Sequence, residues 1–180
     1  MELKSNTKYF FKVLEIITWI IFIGLCIEAG SYIFNAIYTL AINPINASYL
    51  NLTELYDHDA GNYLVIITFI TIVAILKALL FYLLVKLFYQ KKIVLQQPFN
   101  SALIQFISNS AFITIGIGLF AYSAKNYIHW LTNKGIIMPN FEVLGVAGAD
   151  IWLFMGVILL AITQLFKRGK EIQDENELTI

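Results

Sequence analysis

Long apolar runs, separated by short polar stretches, dominate the pattern of residues along this chain. A helix needs about 20 largely apolar residues to cross a bilayer core of about 30 Å. Four runs reach or approach this length, and they cover residues of about 11–40, 63–89, 102–122 and 150–166. The pattern therefore predicts an all-α membrane protein with four transmembrane helices, in which residues 1–180 form a single integral membrane domain.

The positions of the basic residues predict the orientation of these spans. Lys125 and Lys134 lie in the loop after the third span, and Lys77 lies inside the second span. The other nine flank the spans on the opposite side: Lys4, Lys8, Lys12, Lys86, Lys91, Lys92, Lys167, Arg168 and Lys170. Because cytoplasmic loops carry an excess of lysine and arginine, both termini and the middle loop are predicted to be cytoplasmic. This orientation describes a multi-pass protein of the cell membrane.

Composition narrows the classes of function. Hydrophobic residues make up 59% of the 180 positions and charged residues 13%, whereas soluble domains are about one quarter charged. The twelve basic and twelve acidic residues cancel, which predicts no direct binding of nucleic acid. Cys26 is the single cysteine, so an internal disulfide and a CxxC metal site are excluded.

The sequence offers no positive sign of catalysis. It contains no recognisable Ser-His-Asp arrangement, HExxH motif or phosphate-binding loop. The group of Glu54, Asp57, His58 and Asp59 could hold a cation, but carboxylates in loops are mostly solvated, and that interpretation is favoured. We therefore predict that the protein is not an enzyme and binds no cofactor or metal.

Three polar residues stand out inside the predicted spans. Lys77 lies near the middle of the second span, nine residues from Lys86 and therefore about 13 Å deeper. An ionisable group at this depth costs several kcal/mol and needs a partner. Glu28 in the first span and Asn109 in the third are the candidate partners. The cluster is either structural, tying the spans together, or it lines the path of a transported substrate or proton.

A row of small residues predicts close packing on the third span. Ser110, Thr114 and Gly118 recur every four residues and so share one helix face. Such small-xxx-small faces let helix backbones approach closely in membranes. We expect this face to pack within the chain, with a homodimer contact as the alternative.

The last segment, residues 167–180, changes charge along its length. Three basic residues at the membrane surface precede four acidic ones, which the inner surface repels. A solvated tail and a docking element for a cytosolic partner are both consistent with this pattern. For docking, the candidate residues are Gly169, Ile172, Asp174, Glu175, Glu177 and Leu178.

The same segment carries a family resemblance. The run from Phe166-Lys-Arg-Gly169 to Leu178-Thr-Ile180, with the Gln97-Pro98-Phe99 turn before the third span, resembles the bacterial family catalogued as domain of unknown function 2975 (DUF2975). This sequence departs from the family after Phe99, where Asn-Ser-Ala replaces a more charged stretch. The resemblance implies a four-span bacterial membrane protein, with no established activity to carry over. It also implies a genetic neighbour, a small helix-turn-helix transcription regulator of the Cro/C1 type.

Two functional hypotheses follow. The first is a regulatory interaction protein, embedded in the lipid bilayer, that presents the loop 90–100 and the tail 167–180 to a cytosolic partner such as that transcription regulator. The second is a small dimeric transporter that uses Lys77 and Glu28 in a membrane cavity, because four spans are too few for an internal inverted repeat. An envelope-stress or lipid-sensing protein would share the first architecture.

Overall fold

The computed structural model describes residues 2–90 and 99–177, with the side chains of residues 9–90 and 99–175. Within these ranges the chain is helical and contains no strand. The elements are α1 (Glu2–Ala41), a 3-10 helix (Pro44–Leu50), α2 (Thr53–His58), α3 (Ala60–Tyr89), α4 (Ser101–Asn133) and α5 (Ala149–Glu177). Four of them, α1, α3, α4 and α5, are long and apolar enough to cross a membrane. The predicted all-α membrane fold is therefore confirmed.

All four long helices extend beyond the predicted spans, and α4 and α5 do so by eleven residues at their C-terminal ends. α4 continues from the expected end at Tyr122 to Asn133, and α5 continues from Phe166 to Glu177. The predictions stopped where the apolar runs stop. In α5, however, the residues after Phe166 include lysine, arginine, glutamate and glutamine, which are good helix formers, so this helix continues through them. The segment after Phe166 is therefore helical as far as Glu177.

The four long helices form an open row. Among the described residues, α3 lies between α1 and α4, and α4 lies between α3 and α5. The rings of Phe11 and Phe88 are 6.4 Å apart, and those of Phe99 and Phe166 are 5.4 Å apart. One side of the row therefore holds four helix termini: the start of α1, the end of α3, the start of α4 and the end of α5. We call this side the lysine-rich end, and the opposite side the loop end.

Glycines determine how closely α4 and α5 pack. A Cβ atom at Gly118 would lie 2.6 Å from Leu153 Cγ, and one at Gly156 would lie 2.5 Å from Ile115 Cγ1. Ser110 and Thr114, which precede Gly118 on α4, are also buried. The small-residue face of α4 thus packs within the chain, as the sequence predicts.

The loop end carries more structure than the sequence indicates. The 3-10 helix and α2 bury Ala47, Leu50 and Leu55 against the long helices. Asn35 Nδ2 donates to the carbonyl of Asn46 in the 3-10 helix (2.9 Å), and Tyr63 Oη donates to Asn35 Oδ1 (2.7 Å). α1, α3 and the 3-10 helix are therefore joined through one buried amide.

Candidate functional site

Lys77 and Glu28 both lie against a turn of the chain that packs near the middle of α3. Lys77 Nζ donates a 2.7 Å hydrogen bond to the backbone carbonyl of Gly145, and Tyr32 Oη donates to Glu28 Oε1 at 3.1 Å. A Cβ atom at Gly145 would lie 3.4 Å from Tyr32 Oη, 3.5 Å from Glu28 Oε1 and 4.0 Å from Lys77 Nζ. One backbone unit therefore lies against three polar side chains from two helices.

The backbone of the turn explains why its carbonyl reaches Lys77. Gly145 has φ 67°, a left-handed conformation that residues with a Cβ rarely adopt. Its amide donates to the carbonyl of Glu142 (3.1 Å), and the Val146 amide donates to the carbonyl of Phe141 (3.0 Å). Leu144 and Val146 are buried on either side of Gly145. The turn is thus fixed by packing, with the Gly145 carbonyl directed at the ammonium group.

The cluster differs from the predicted one in three members. It lacks Asn109, which was expected with Glu28 and Lys77, and it includes Tyr32 and Gly145, which were not predicted. Tyr32 follows Glu28 by four residues and so lies on the same helix face, from which its place beside Glu28 could have been predicted. The sequence could not indicate that the Gly145 carbonyl accepts from Lys77, because this contact depends on how a distant loop folds back onto α3.

Asn109 lies apart from this cluster, toward the lysine-rich end. Leu76, beside Lys77, contacts the position where a Cβ of Gly116 would lie, at 3.6 Å. Asn109 precedes Gly116 by seven residues, which is about 10 Å along α4. It is exposed and lines clefts together with Lys86 and Lys170. The expected grouping was wrong because the depth of a residue in an unaligned span is uncertain by a helical turn or more.

The extension of α5 beyond Phe166 is held against the start of α4. Phe99 packs over Gly169, where a Cβ atom would lie 2.8 Å from Phe99 Cε1. Lys170 Nζ donates a 2.6 Å hydrogen bond to Ser101 Oγ. Gly169 therefore allows the close approach of an aromatic ring, a role that its place among the tail candidates did not specify.

The outward face of this extension carries two of the predicted docking residues, Ile172 and Glu175. Ile172 is 48% exposed, and Glu175, three residues further along, is exposed on the same side. Asp174 is also exposed, but it lies on the side of α5 that faces a cleft against α4. Glu171 pairs with Arg168 at 2.8 Å, the only salt bridge between side chains of residues 9–90 and 99–175. Glu177 is the last residue of α5, while its side chain and the whole of Leu178 lie outside the described residues. Residues 91–98 of the predicted docking loop 90–100 lie outside them as well.

Two clefts flank the first turns of α4 at the lysine-rich end. The larger, of about 610 Å³, lies between α4 and the α5 extension and includes Asn109, Lys167, Lys170 and Asp174. The smaller, of about 120 Å³, lies between α3 and α4 and shares Asn109 with the first. In the described part of the chain, no three His, Cys, Asp or Glu side chains come together in a way that could hold a metal ion.

Comparison with known proteins identifies no relative. No family model matches the chain, and no curated protein or solved structure matches it significantly. The resemblance to DUF2975 stays a prediction. Functional inference therefore depends on the residues and their geometry.

Proposed function

We propose that this protein is a non-enzymatic interaction protein of the cell membrane that presents the extension of α5 to a cytosolic partner. The observation that carries the proposal is the form of residues 167–177, a helix held on α4 with Ile172 and Glu175 facing outward. A helix that is ordered before binding loses less conformational entropy than a flexible tail when a partner docks. The extension therefore already has an ordered helical conformation before a partner binds.

The chemistry of the outward face indicates the class of partner. Glu175 lies about one turn from the partly exposed Ile172 on the same side of α5, so a complementary surface is basic and contains an apolar depression. DNA-binding proteins carry such basic surfaces. A small helix-turn-helix regulator fits this description, and the resemblance of the tail to DUF2975 suggests the same class. Docking on the acidic helix would compete with DNA for that surface.

The arrangement of the helices offers a way to alter the presented helix. α4 packs on α3, which carries Lys77, and also on α5. Ser101 and Phe99, at the start of α4, support the extension through Lys170 and Gly169. A displacement of α4 relative to α3 would therefore move the support of the docking helix.

This proposal requires the lysine-rich end to face the cytoplasm, which the excess of basic residues at that end favours. Single cysteines at Asn140 and Asp174, introduced into a Cys26→Ser background, test the orientation. In intact cells, a membrane-impermeant maleimide is expected to label the Asn140→Cys variant and to label the Asp174→Cys variant only after lysis. The reverse labelling pattern would contradict the proposed orientation.

The partner is tested by co-purification from the native host in mild detergent. We expect a small basic DNA-binding protein to accompany the wild-type chain and to fall at least about tenfold in a double variant, Ile172→Lys with Glu175→Lys. The matched control makes the same changes at two exposed positions of the loop end, Ile137→Lys and Glu142→Lys. Equal recovery with both variants, quantified by mass spectrometry, would show that the outward face is not the docking surface.

A further inference from the structure

The larger cleft at the lysine-rich end has a defined order of polar groups along the membrane normal. The Lys170–Ser101 hydrogen bond fixes the register of α5 against α4. Asp174 lies four residues beyond Lys170, about 6 Å farther from the membrane. Asn109 lies eight residues along α4 from Ser101, about 12 Å toward the membrane interior. From outside inward, the cleft therefore presents a carboxylate, two ammonium groups and then neutral polar groups.

The neutral groups form the deepest polar level of the cleft. Gln105, Ser108 and Asn109 lie there, and their side chains form no hydrogen bond with other described residues. Amide and hydroxyl groups can donate to carbonyl oxygens of a ligand. One turn deeper, Phe112 is 64% exposed and continues the same side of α4 as an apolar surface. The polar cleft thus opens toward the hydrocarbon region.

The charged groups of the cleft are available to a ligand. Lys170 could pair with Asp174 one turn along its own helix, but it donates to Ser101 instead. Lys167 and Asp174 form no ion pair with any side chain of the described part, and Glu171 is engaged by Arg168. The unpaired ammonium and carboxylate groups therefore lie about 10 Å apart along α5, since seven residues separate them.

The geometry points to a binding site for a membrane phospholipid with a primary amine in its headgroup, of the phosphatidylethanolamine class. Its amine would lie at Asp174, its phosphate at Lys167 and Lys170, and its ester carbonyls at Ser108 and Asn109. Basic pockets between transmembrane helices at the cytoplasmic surface bind lipid headgroups. The order of groups in the cleft matches the order of groups along such a lipid, from headgroup to acyl chains.

The carboxylate selects among headgroups. A glycerol headgroup has no cation for Asp174, so an anionic lipid would bring its phosphate near an uncompensated negative charge. A choline headgroup is cationic but has no N–H to donate to the carboxylate. Only a primary amine both neutralises and hydrogen-bonds that carboxylate, and hydrogen bonds between charged groups are about twice as strong as neutral ones. The site does not depend on the proposed cytosolic partner.

The proposal is tested by native mass spectrometry of the full-length protein titrated with three lipids of identical acyl chains. We expect phosphatidylethanolamine to bind about tenfold more tightly than phosphatidylcholine or phosphatidylglycerol. Glycerophosphoethanolamine, the same headgroup without acyl chains, is expected to bind much more weakly. Equal affinity for all three lipids would overturn the site, and free headgroup binding as tight as the lipid would overturn its assignment to a membrane lipid.

Two variants separate the parts of the site. Asp174→Asn is expected to remove the preference for the amine headgroup, whereas Asn109→Leu is expected to weaken the binding of all three lipids equally. The matched control is Glu142→Gln, which neutralises an exposed carboxylate at the loop end and should leave the preference unchanged. A preference that survives Asp174→Asn, or that Glu142→Gln also removes, would overturn the role of Asp174. Both changed positions are exposed, so folding is expected to be retained.

Discussion

Replacing Gly118 by alanine is expected to lower the free energy of unfolding by about 1–3 kcal/mol, the usual cost of overpacking a close contact. The added Cβ would lie 2.6 Å from Leu153 Cγ and 2.9 Å from the backbone nitrogen of Leu153. Since backbone atoms cannot rotate away, α5 would have to move from α4. In a membrane this packing is not replaced by hydrophobic attraction between helices.

The measurement is the unfolding of the detergent-solubilised protein. Gly24→Ala on α1 is the matched control, since a Cβ there meets no atom within 4 Å. In a helix, glycine is less stable than alanine by about 0.5–1 kcal/mol, so this control should be neutral or slightly stabilising. If both variants lose the same stability, the close α4–α5 contact is not what requires glycine.

Replacing Lys77 by methionine is expected to cost about 1.5–3 kcal/mol, because it removes a hydrogen bond from a charged donor. Methionine keeps an unbranched side chain but leaves the Gly145 carbonyl without its 2.7 Å donor. It also removes the positive charge near Glu28. The turn that contains Gly145 should loosen from α3 as a result.

Unfolding in detergent, together with proteolysis of the turn, measures this effect. Lys86→Met, at an exposed position of the same helix, is the control and should leave both readouts unchanged. A Lys77→Met protein as stable as the wild type would contradict the structural role. It would then favour the transporter hypothesis, in which Lys77 contributes to transport and not to folding.

The long helices could be predicted because their signal is local. An uninterrupted apolar run is sufficient to predict a span, and the row Ser110, Thr114 and Gly118 was sufficient to predict close packing. Both inferences need only the fixed periodicity of a helix. The order of the helices in the row, with α3 and α4 in the middle, could not be predicted in this way. Apolar faces that contact lipid and apolar faces that contact another helix have similar sequences.

The polar sites were only partly predictable, for a related reason. Glu28 and Lys77 were found because charge inside a span is rare, yet their shared neighbour Gly145 is 68 residues from Lys77 in the chain. Asn109 was misplaced because residue counting gives depth along a helix but not the register between helices. The helical state of residues 167–177 was not predicted, because a charged segment after a span is equally consistent with a helix and with a solvated tail.

The proposed docking of a partner requires residues 167–175 to form a fixed helix and not a free tail. Amide hydrogen exchange of the protein in lipid nanodiscs tests this requirement most directly. These amides are expected to exchange at least about tenfold more slowly than in the isolated peptide, and Gly169→Val should abolish most of that protection by displacing Phe99. Exchange at the peptide rate in the wild-type protein would contradict the proposed docking.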